Sequence, residues 1–334
     1  MRSKPSLPTA AWGYGATIIV AALLPLAVSS FVLQNVLAVA AWEGIVAMSL
    51  VFLSKFGGMV SLAQVAVYGV SSYTVAVCGV SHHLPWYLAV LCALGASSVC
   101  AFVFGLLCVR SYGIYFLMVT LLLGLVVYFL AKSNETITNG STGIVGVYPP
   151  HIGGSSLTSP VAEYALDLGV AALLLFGLTA LMKTQFGLAL QGCRDNPRKM
   201  RALGYSVGWY RVLAFTVAGF VAGVGGVLGA WYNGLVAPGI MNLTTIVGVL
   251  VIAVLGGMNS MPGVFAGSVL YLAITTYASS VTARYNTLIG VLFLLVVMFA
   301  PNGLAGVSER IHRKLRIAPN QMKVMKERER VDTH

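Results

Sequence analysis

Long apolar stretches separated by short polar ones dominate the chain. They cover roughly 12–31, 33–54, 60–80, 86–109, 112–131, 161–182, 211–233, 243–257, 263–283 and 286–300. A helix needs about 20 apolar residues to cross the hydrocarbon of a bilayer, so ten such segments use about 200 residues. Barrel strands alternate polar and apolar residues over about 10 positions. Unbroken apolar runs of this length are helical instead. The pattern predicts an all-α polytopic membrane protein of about ten transmembrane or re-entrant helices. The segment 60–80 is interrupted by glycine and 243–257 is short, so both read as broken or re-entrant, covered by surrounding protein.

Composition agrees and excludes the other classes. Of 334 residues, 58% are hydrophobic and 9% charged, with a mean hydropathy of +0.88. A soluble domain carries about 25% charged residues. This chain has too little polar surface for an ordinary soluble enzyme, and it is too apolar to be disordered. The apolar run after Arg2 and Lys4 lacks a small-residue cleavage site, so it reads as a retained first span. Cys78, Cys92, Cys100, Cys108 and Cys193 have no metal-ligand spacing, and four of them fall in apolar runs, where cysteine acts as a small hydrophobe.

The net charge of +11 is a topology signal. With the N-terminus in the cytoplasm and ten crossings, 18 of the 20 Lys and Arg fall inside, leaving Lys132 and Arg284 outside. The positive-inside rule asks for this asymmetry, and it puts both termini in the cytoplasm. The outer stretch 132–160 is rich in Ser, Thr, Gly and Pro and predicts a loop with turns. The mixed-charge stretch 309–334 predicts a solvated or lipid-surface tail.

The inner stretch 183–210 holds a local signal. Asn196 suits an N-cap, Pro197 the first helical position and Gly204 a C-terminal stop. A short helix over about 197–203 is predicted, made basic by Arg198, Lys199 and Arg201. Charges that only set topology do not require a capped helix, whereas a docking element does.

Polar residues inside spans carry the candidate chemistry. Ser61, Gln64, Tyr68 and Ser71 follow i, i+3, i+7, i+10 and predict one helix face, with Ser72 and Tyr73 adjacent. Gly57-Gly58 before them permits a break whose helix N-terminus points inward and offers free N–H groups to an anionic group. Interhelical hydrogen bonding is the alternative role. Glu43 is the carboxylate deepest in an apolar run, while Glu163 and Asp167 sit at the outer end of a span. Intramembrane ionisable groups mark functional paths, so Glu43 is a candidate for proton coupling, an internal hydrogen bond or a cavity wall. Gly219-x-x-x-Gly223, Gly225-x-x-x-Gly229 and Gly263-x-x-x-Gly267 predict close helix packing. There is no G-x-x-x-x-G-K-[ST] phosphate loop, so any ATP used must be hydrolysed by another polypeptide.

Several segments together resemble one family. Gly57-Gly58-Met-Val-Ser61-Leu-Ala-Gln64-Val-Ala-Val-Tyr68-Gly69-Val-Ser-Ser-Tyr73 resembles the G-x-x-S-L-G-Q-x-x-F-x-G-I-G-A-Y signature of permease subunits of branched-chain amino acid ABC importers. Arg110-Ser-Tyr-Gly113-Ile-Tyr115-Phe-Leu-Met118-Val-Thr120-Leu is similar to the R-x-x-G-I-Y-F-A-M-V-T-L segment of their M-type members. Thr138-Asn-Gly140-Ser-Thr-Gly143-Ile-Val-Gly146 resembles their outer T-G-G-S-D-G-L loop. Phe186-Gly187 with Arg194-Asp-Asn196-Pro-Arg-Lys-Met-Arg-Ala202-Leu-Gly204 resembles their cytoplasmic loop. The likeness runs in order from about residue 36 to 304. It stops short of the tail.

The resemblance implies a transmembrane permease domain over 1–308 with a periplasmic loop at 132–160, a coupling loop at 183–210 and a cytoplasmic basic tail at 309–334. It implies the ABC importer permease fold and no catalysis by this chain. The implied partners are a homologous H-type permease, two ATP-binding subunits that hold the ATP and Mg, a periplasmic substrate-binding protein and membrane lipid, with no nucleic acid and no cofactor or metal on this chain. Arg194, Asn196, Pro197, Arg198, Arg201, Ala202 and Gly204 would form the ATPase-coupling helix. Ser61, Gln64, Tyr68, Ser71, Tyr73 and Thr120 would line the substrate path. Ala63, Ser71-Ser72 and Thr142 depart from the family pattern, and the serines and the threonine add hydroxyl groups. Amino acids are the expected cargo by prevalence, with urea and amides or aromatic acids as alternatives. A self-sufficient proton-coupled transporter using Glu43 is the competing reading.

Overall fold

The computed structural model describes residues 29–149, 151–152, 155–156 and 160–281, with a few positions between 287 and 303. The expected first span, apart from residues 29–31, most of the expected last span, Arg284 and the tail lie outside these residues. Among the described residues, six helices are long and apolar enough to cross a membrane. They are α1 (Leu33–Gly57), α3 (Trp86–Cys108), α4 (Gly113–Ser133), α5 (Pro160–Leu181), α8 (Val207–Asn233) and α10 (Met261–Val281). Between them lie α2 (Gln64–Ala76), α6 (Gln185–Asp195), α7 (Pro197–Ala202) and α9 (Leu243–Gly256). This is the predicted all-α polytopic architecture, with 60–80 and 243–257 as its two irregular members.

Both irregularities have physical causes. The 25 residues of α1 rise about 37 Å, enough for a hydrocarbon core of about 30 Å, while the 14 of α9 rise only about 21 Å. Helix α9 is therefore a partial crossing, entered through a tight turn at Pro238–Met241 and left at Gly257, whose φ of 101° no side chain tolerates easily. Helix α1 ends at Gly58, which takes the left-handed conformation and returns its N–H to the carbonyls of Leu53 and Ser54. The chain then runs irregularly to Gln64. Ser61 thus precedes α2 rather than sharing its face, which corrects the helical spacing expected for it.

Helices α1 and α8 form the centre, and α3, α4, α5 and α10 present mostly apolar surfaces outward. Glycines on several sides of α8 allow this. A Cβ at Gly219 would strike Ala101, and at Gly223 the Ser97 hydroxyl, both on α3. At Gly225 it would meet Val46 of α1, at Gly226 the Tyr68 carbonyl of α2, and at Gly229 both Trp42 and Tyr68. Gly267 of α10 lies against the backbone of Gly256 in α9, and Gly256 against the carbonyl of Gly263. In lipid, helix association rests on such close van der Waals contact rather than on exclusion of water.

The stretch after α4 holds more structure than turns alone. Asn134 caps a single helical turn, Glu135–Thr138, by accepting from the Ile137 N–H. Strand β1 (Ile144–Val145) pairs antiparallel with β4 (Leu235–Val236), just beyond α8. Strands β2 (His151–Ile152) and β3 (Ser155–Ser156) form a small hairpin. Gly143 is required beside β1, since a Cβ there would collide with the Val236 carbonyl.

Candidate functional site

One end of the bundle gathers the loop 183–210. Helix α7 occupies Pro197–Ala202 as the capping residues predict. The Asn196 side chain accepts from the Lys199 N–H at 3.1 Å, Pro197 sits in the first turn, and Gly204 has φ +86°. Arg198, Lys199 and Arg201 are exposed on this short helix, and Leu203 is exposed just beyond its end. Met200 faces back onto α6, close to Gly192.

Helix α6 carries this unit to the rest of the bundle. Arg194 pairs with Asp195 at 2.7 Å and donates through Nη1 to the Lys55 carbonyl at the end of α1. Its aliphatic stem lies against Gly58. The left-handed turn that ends α1 is therefore in direct contact with the loop bearing α7. Burial pushes the Cys193 thiol above its ordinary value.

Arg211, at the start of α8, closes the same end. It is 7% exposed. It donates to the carbonyls of Val109 at 2.9 Å and Ser111 at 3.0 Å, and its guanidinium lies 4.2 Å above the Tyr112 ring. It thereby satisfies backbone carbonyls in the α3–α4 turn. A cleft of about 390 Å³ lies between these parts, lined by Gly58, Tyr112, Leu117, Cys193, Arg194 and Arg211 among others.

The polar set of α2 is brought together but occupied. Ser61, Gln64, Ser71 and Thr120 are fully buried, and Tyr68 and Tyr73 nearly so. Ser71 donates to the Gly223 carbonyl at 2.7 Å and Ser72 to the Gly226 carbonyl at 2.8 Å. The Thr120 hydroxyl accepts from the Leu62 N–H, and Ser49 donates to Oε1 of Gln64 at 3.3 Å. These hydroxyls act as interhelical bonds, the alternative role that the sequence left open. Among the described residues, Gln64 Nε2 and the Tyr73 hydroxyl are buried without a hydrogen-bond partner.

A second constellation involves residues that the spacing argument did not join. Glu43 lines a narrow gap with Trp42, Val46, Val65, Tyr68, Thr245 and Val249, between α1, α2 and the start of α9. It has no hydrogen bond or ion pair among the described residues. Trp42 stacks on Tyr68 with ring centroids 5.7 Å apart and touches Tyr232 at 6.5 Å. Tyr232 in turn packs against a cluster of Leu33, Leu37 and Ala38 from α1 and Tyr164 from α5. The adjacency of Trp42 to Glu43 was visible in the sequence. The approach of Tyr232 was not, because it depends on how α8 crosses α1. Among the described residues no three of His, Cys, Asp and Glu gather as metal ligands.

Comparison with known proteins fits this architecture. A family described as branched-chain amino acid transport system, permease component, matches residues 32–300. The high-affinity branched-chain amino acid transport system permease protein LivM of Salmonella typhimurium is 26% identical over 270 residues, covering 74% of this chain and 64% of LivM. The chain thus spans under two thirds of that relative's length. The permease protein BraD of Pseudomonas aeruginosa is 30% identical over 162 residues, covering 47% of this chain and 52% of BraD. The autoinducer 2 import system permease protein LsrC of Enterobacter sp. (strain 638) is 31% identical over 170 residues, covering 48% of this chain and 50% of LsrC. With the match spanning most of the chain and an architecture of packed apolar helices, this chain belongs to the family of permease components of branched-chain amino acid transport systems.

Proposed function

We propose that the chain is one permease subunit of an ATP-driven importer for amino acids, forming half of the pathway with a homologous permease. Two ATP-binding subunits dock from the cytoplasm and a periplasmic binding protein delivers the cargo from the other side. Both termini lie in the cytoplasm, the domain over 1–308 carries the pathway and the stretch 309–334 is a cytoplasmic tail. This chain holds no ATP or Mg of its own.

The observation that carries the reading is helix α7. It is capped at both ends, exposes Arg198, Arg201 and Leu203, and is tied through α6 and Arg194 to the turn ending α1. Six residues are too few for a stable isolated helix, so its stability comes from the caps and its anchor. It supplies a small, rigid, basic knob that suits a groove with acidic walls on an ATPase subunit. Movement of that knob reaches α1 through α6, whose Arg194 side chain is bonded to the Lys55 carbonyl. The LivM and BraD relatives bear names that specify branched-chain amino acids, and LsrC bears one that specifies a different cargo.

The test is charge reversal on α7. Arg198→Glu with Arg201→Glu should lower recovery of the ATP-binding subunit with the affinity-purified chain at least tenfold, with membrane insertion unchanged. Undiminished recovery of that subunit would remove α7 from the interface.

A further inference from the structure

Two cysteines meet across the turn between α2 and α3. Cys78 lies in the π-helical turn Val77–Ser81 that continues α2, and Cys92 lies in the second turn of α3. The chain doubles back between them. The His82 N–H donates to the Val77 carbonyl at 3.1 Å and the Leu84 N–H to the Cys78 carbonyl at 3.0 Å. Cys78 packs against the apolar cluster that holds Ala89 and Ala93 of α3. Its thiol is in side-chain contact with the Cys92 thiol, at hydrogen-bonding range. Both are free thiols in this structure, Cys92 exposed and Cys78 half-buried. Among the described residues, Cys100, Cys108 and Cys193 have no such thiol neighbour.

The pair belongs to the end of the bundle opposite α7. Helix α2 starts just past Gly58, which touches the loop bearing α7, and runs away from it. Cys78 stands about 21 Å along from Gln64, and Cys92 only about 9 Å along α3 from Trp86. Trp86 and Tyr87 are exposed, as aromatic side chains at a membrane surface are. In the importer orientation this end faces the periplasm, a compartment in which disulfides form and persist. We propose that Cys78 and Cys92 are a redox pair that closes to an intramolecular disulfide on the outer side. The inference goes beyond the importer reading and rests on its orientation alone. The step is thiol–disulfide exchange with a disulfide-bearing oxidant, a protein or glutathione. The Cys92 thiolate attacks one sulfur of the oxidant and expels its first thiol. Cys78 then attacks the Cys92 sulfur of the mixed disulfide and expels the second. Two S–H bonds give way to one S–S bond, and two electrons and two protons leave with the oxidant.

The bond fastens a π turn to α3, and π turns are rare devices that concentrate at functional sites. Gly79 and Val80 of this turn and Ala89 of α3 line an outer cleft of about 350 Å³, together with Trp86, Tyr148 and Trp231 among others. The cleft brings solvent up to the neighbours of both cysteines, so an oxidant or a reductant approaches them from outside. Closure draws the sulfurs from contact to about 2.0 Å. A Cβ at Gly79, beside Cys78, would meet nothing within 4 Å, so the turn has space for that small shift. The walls of the cleft are the two segments that the bond joins, and the state of the pair therefore sets how far they can part.

The experiment uses the full-length chain in bacterial cells. Cells are quenched in acid, and free thiols are blocked with N-ethylmaleimide in denaturant. The chain is then reduced, and the thiols so released are labelled with iodoacetamide and assigned by mass spectrometry. Cys78 and Cys92 should carry the second label in most molecules, and Cys100, Cys108 and Cys193 the first. Reduction of the purified chain should lower its unfolding temperature by about 3 °C or more, with no such response in Cys92→Ser or, where that variant is not recovered, Cys78→Ser. An unfolding temperature unmoved by reduction overturns the fastening role. Oxidation of the purified chain with glutathione disulfide tests the pairing independently of membrane orientation. The first label on both cysteines after that treatment overturns the pair, as does a second label on Cys78 that persists in Cys92→Ser. The side is read separately, with a membrane-impermeant maleimide on His82→Cys in a Cys78→Ser, Cys92→Ser chain. Labelling from outside, with the wild-type pair reduced in cells, overturns the outer disulfide. Labelling from inside alone overturns the importer orientation, and closure by glutathione disulfide then leaves the pair standing.

Discussion

The two ends of the bundle treat charge in opposite ways. At the end bearing α7, Arg211 is buried yet bonded to two carbonyls and stacked on Tyr112, and Arg194 is held by Asp195 and the Lys55 carbonyl. In the other half, among the described residues, Oδ2 of Asp167 is buried without a partner and Glu43 makes no hydrogen bond or ion pair. Charges that hold a structure together are matched when the chain folds. Acidic groups left without a partner cost stability, and the rest of the fold must be stable enough to tolerate them.

The largest test of this contrast is Arg211→Leu. It removes the donors to Val109 and Ser111 and leaves those carbonyls unpaired, so a loss of about 3 kcal/mol is expected, read as a lower unfolding temperature in detergent. The contrast breaks if that substitution is silent. Neutralising the other half should act with opposite sign. Asp167→Asn relieves a buried acidic group without a full set of partners and Glu43→Gln a half-buried one, and each should leave stability unchanged or raise it by about 1 kcal/mol. A large drop in unfolding temperature for either would assign it a structural partner and end the comparison.

Arg194→Ala sharpens the picture at the surface. The Arg194–Asp195 pair is solvent-exposed, and its loss should cost only about 0.5 kcal/mol of stability. The link from α6 to α1 is lost with it, so ATP hydrolysis should proceed with less uptake per ATP, measured by comparing the two rates. The smallest effect concerns Cys193. Burial raises its thiol, so less of the reactive thiolate is present near neutral pH than for an exposed cysteine. Alkylation by N-ethylmaleimide should be slow at pH 7.5, and its rate should still be climbing at pH values where an ordinary thiol has levelled off.

Much of this was legible in residue order, and the reasons differ by region. Apolar run length predicted each described span, since hydrocarbon thickness sets helix length directly. The caps of α7 could be read because Asn196, Pro197 and Gly204 act within one or two turns of chain. The glycine face of α8 was visible as spacing, but which neighbour each glycine admits depends on crossing angles that no local pattern encodes. Ser61 misled for a related reason. Helical periodicity was extended across the irregular stretch that follows Gly58, and that stretch ends only at Gln64. The row of Tyr68, Trp42 and Tyr232 comes from three helices far apart in sequence, so spacing along the chain could not reveal it. Glu43 was singled out from its depth alone, and its surroundings gave it company.

The two-residue pairing of β1 with β4 has a mechanical consequence. It fastens the loop after α4 to the strand that leads, six residues on, into Asn242 at the head of α9. The two segments therefore behave as a drawbar and its hitch. A displacement of Ile144 would be carried by the strand pairing to Val236, six residues before Asn242. A contact made at this loop therefore bears on the start of α9, a strand and a tight turn away.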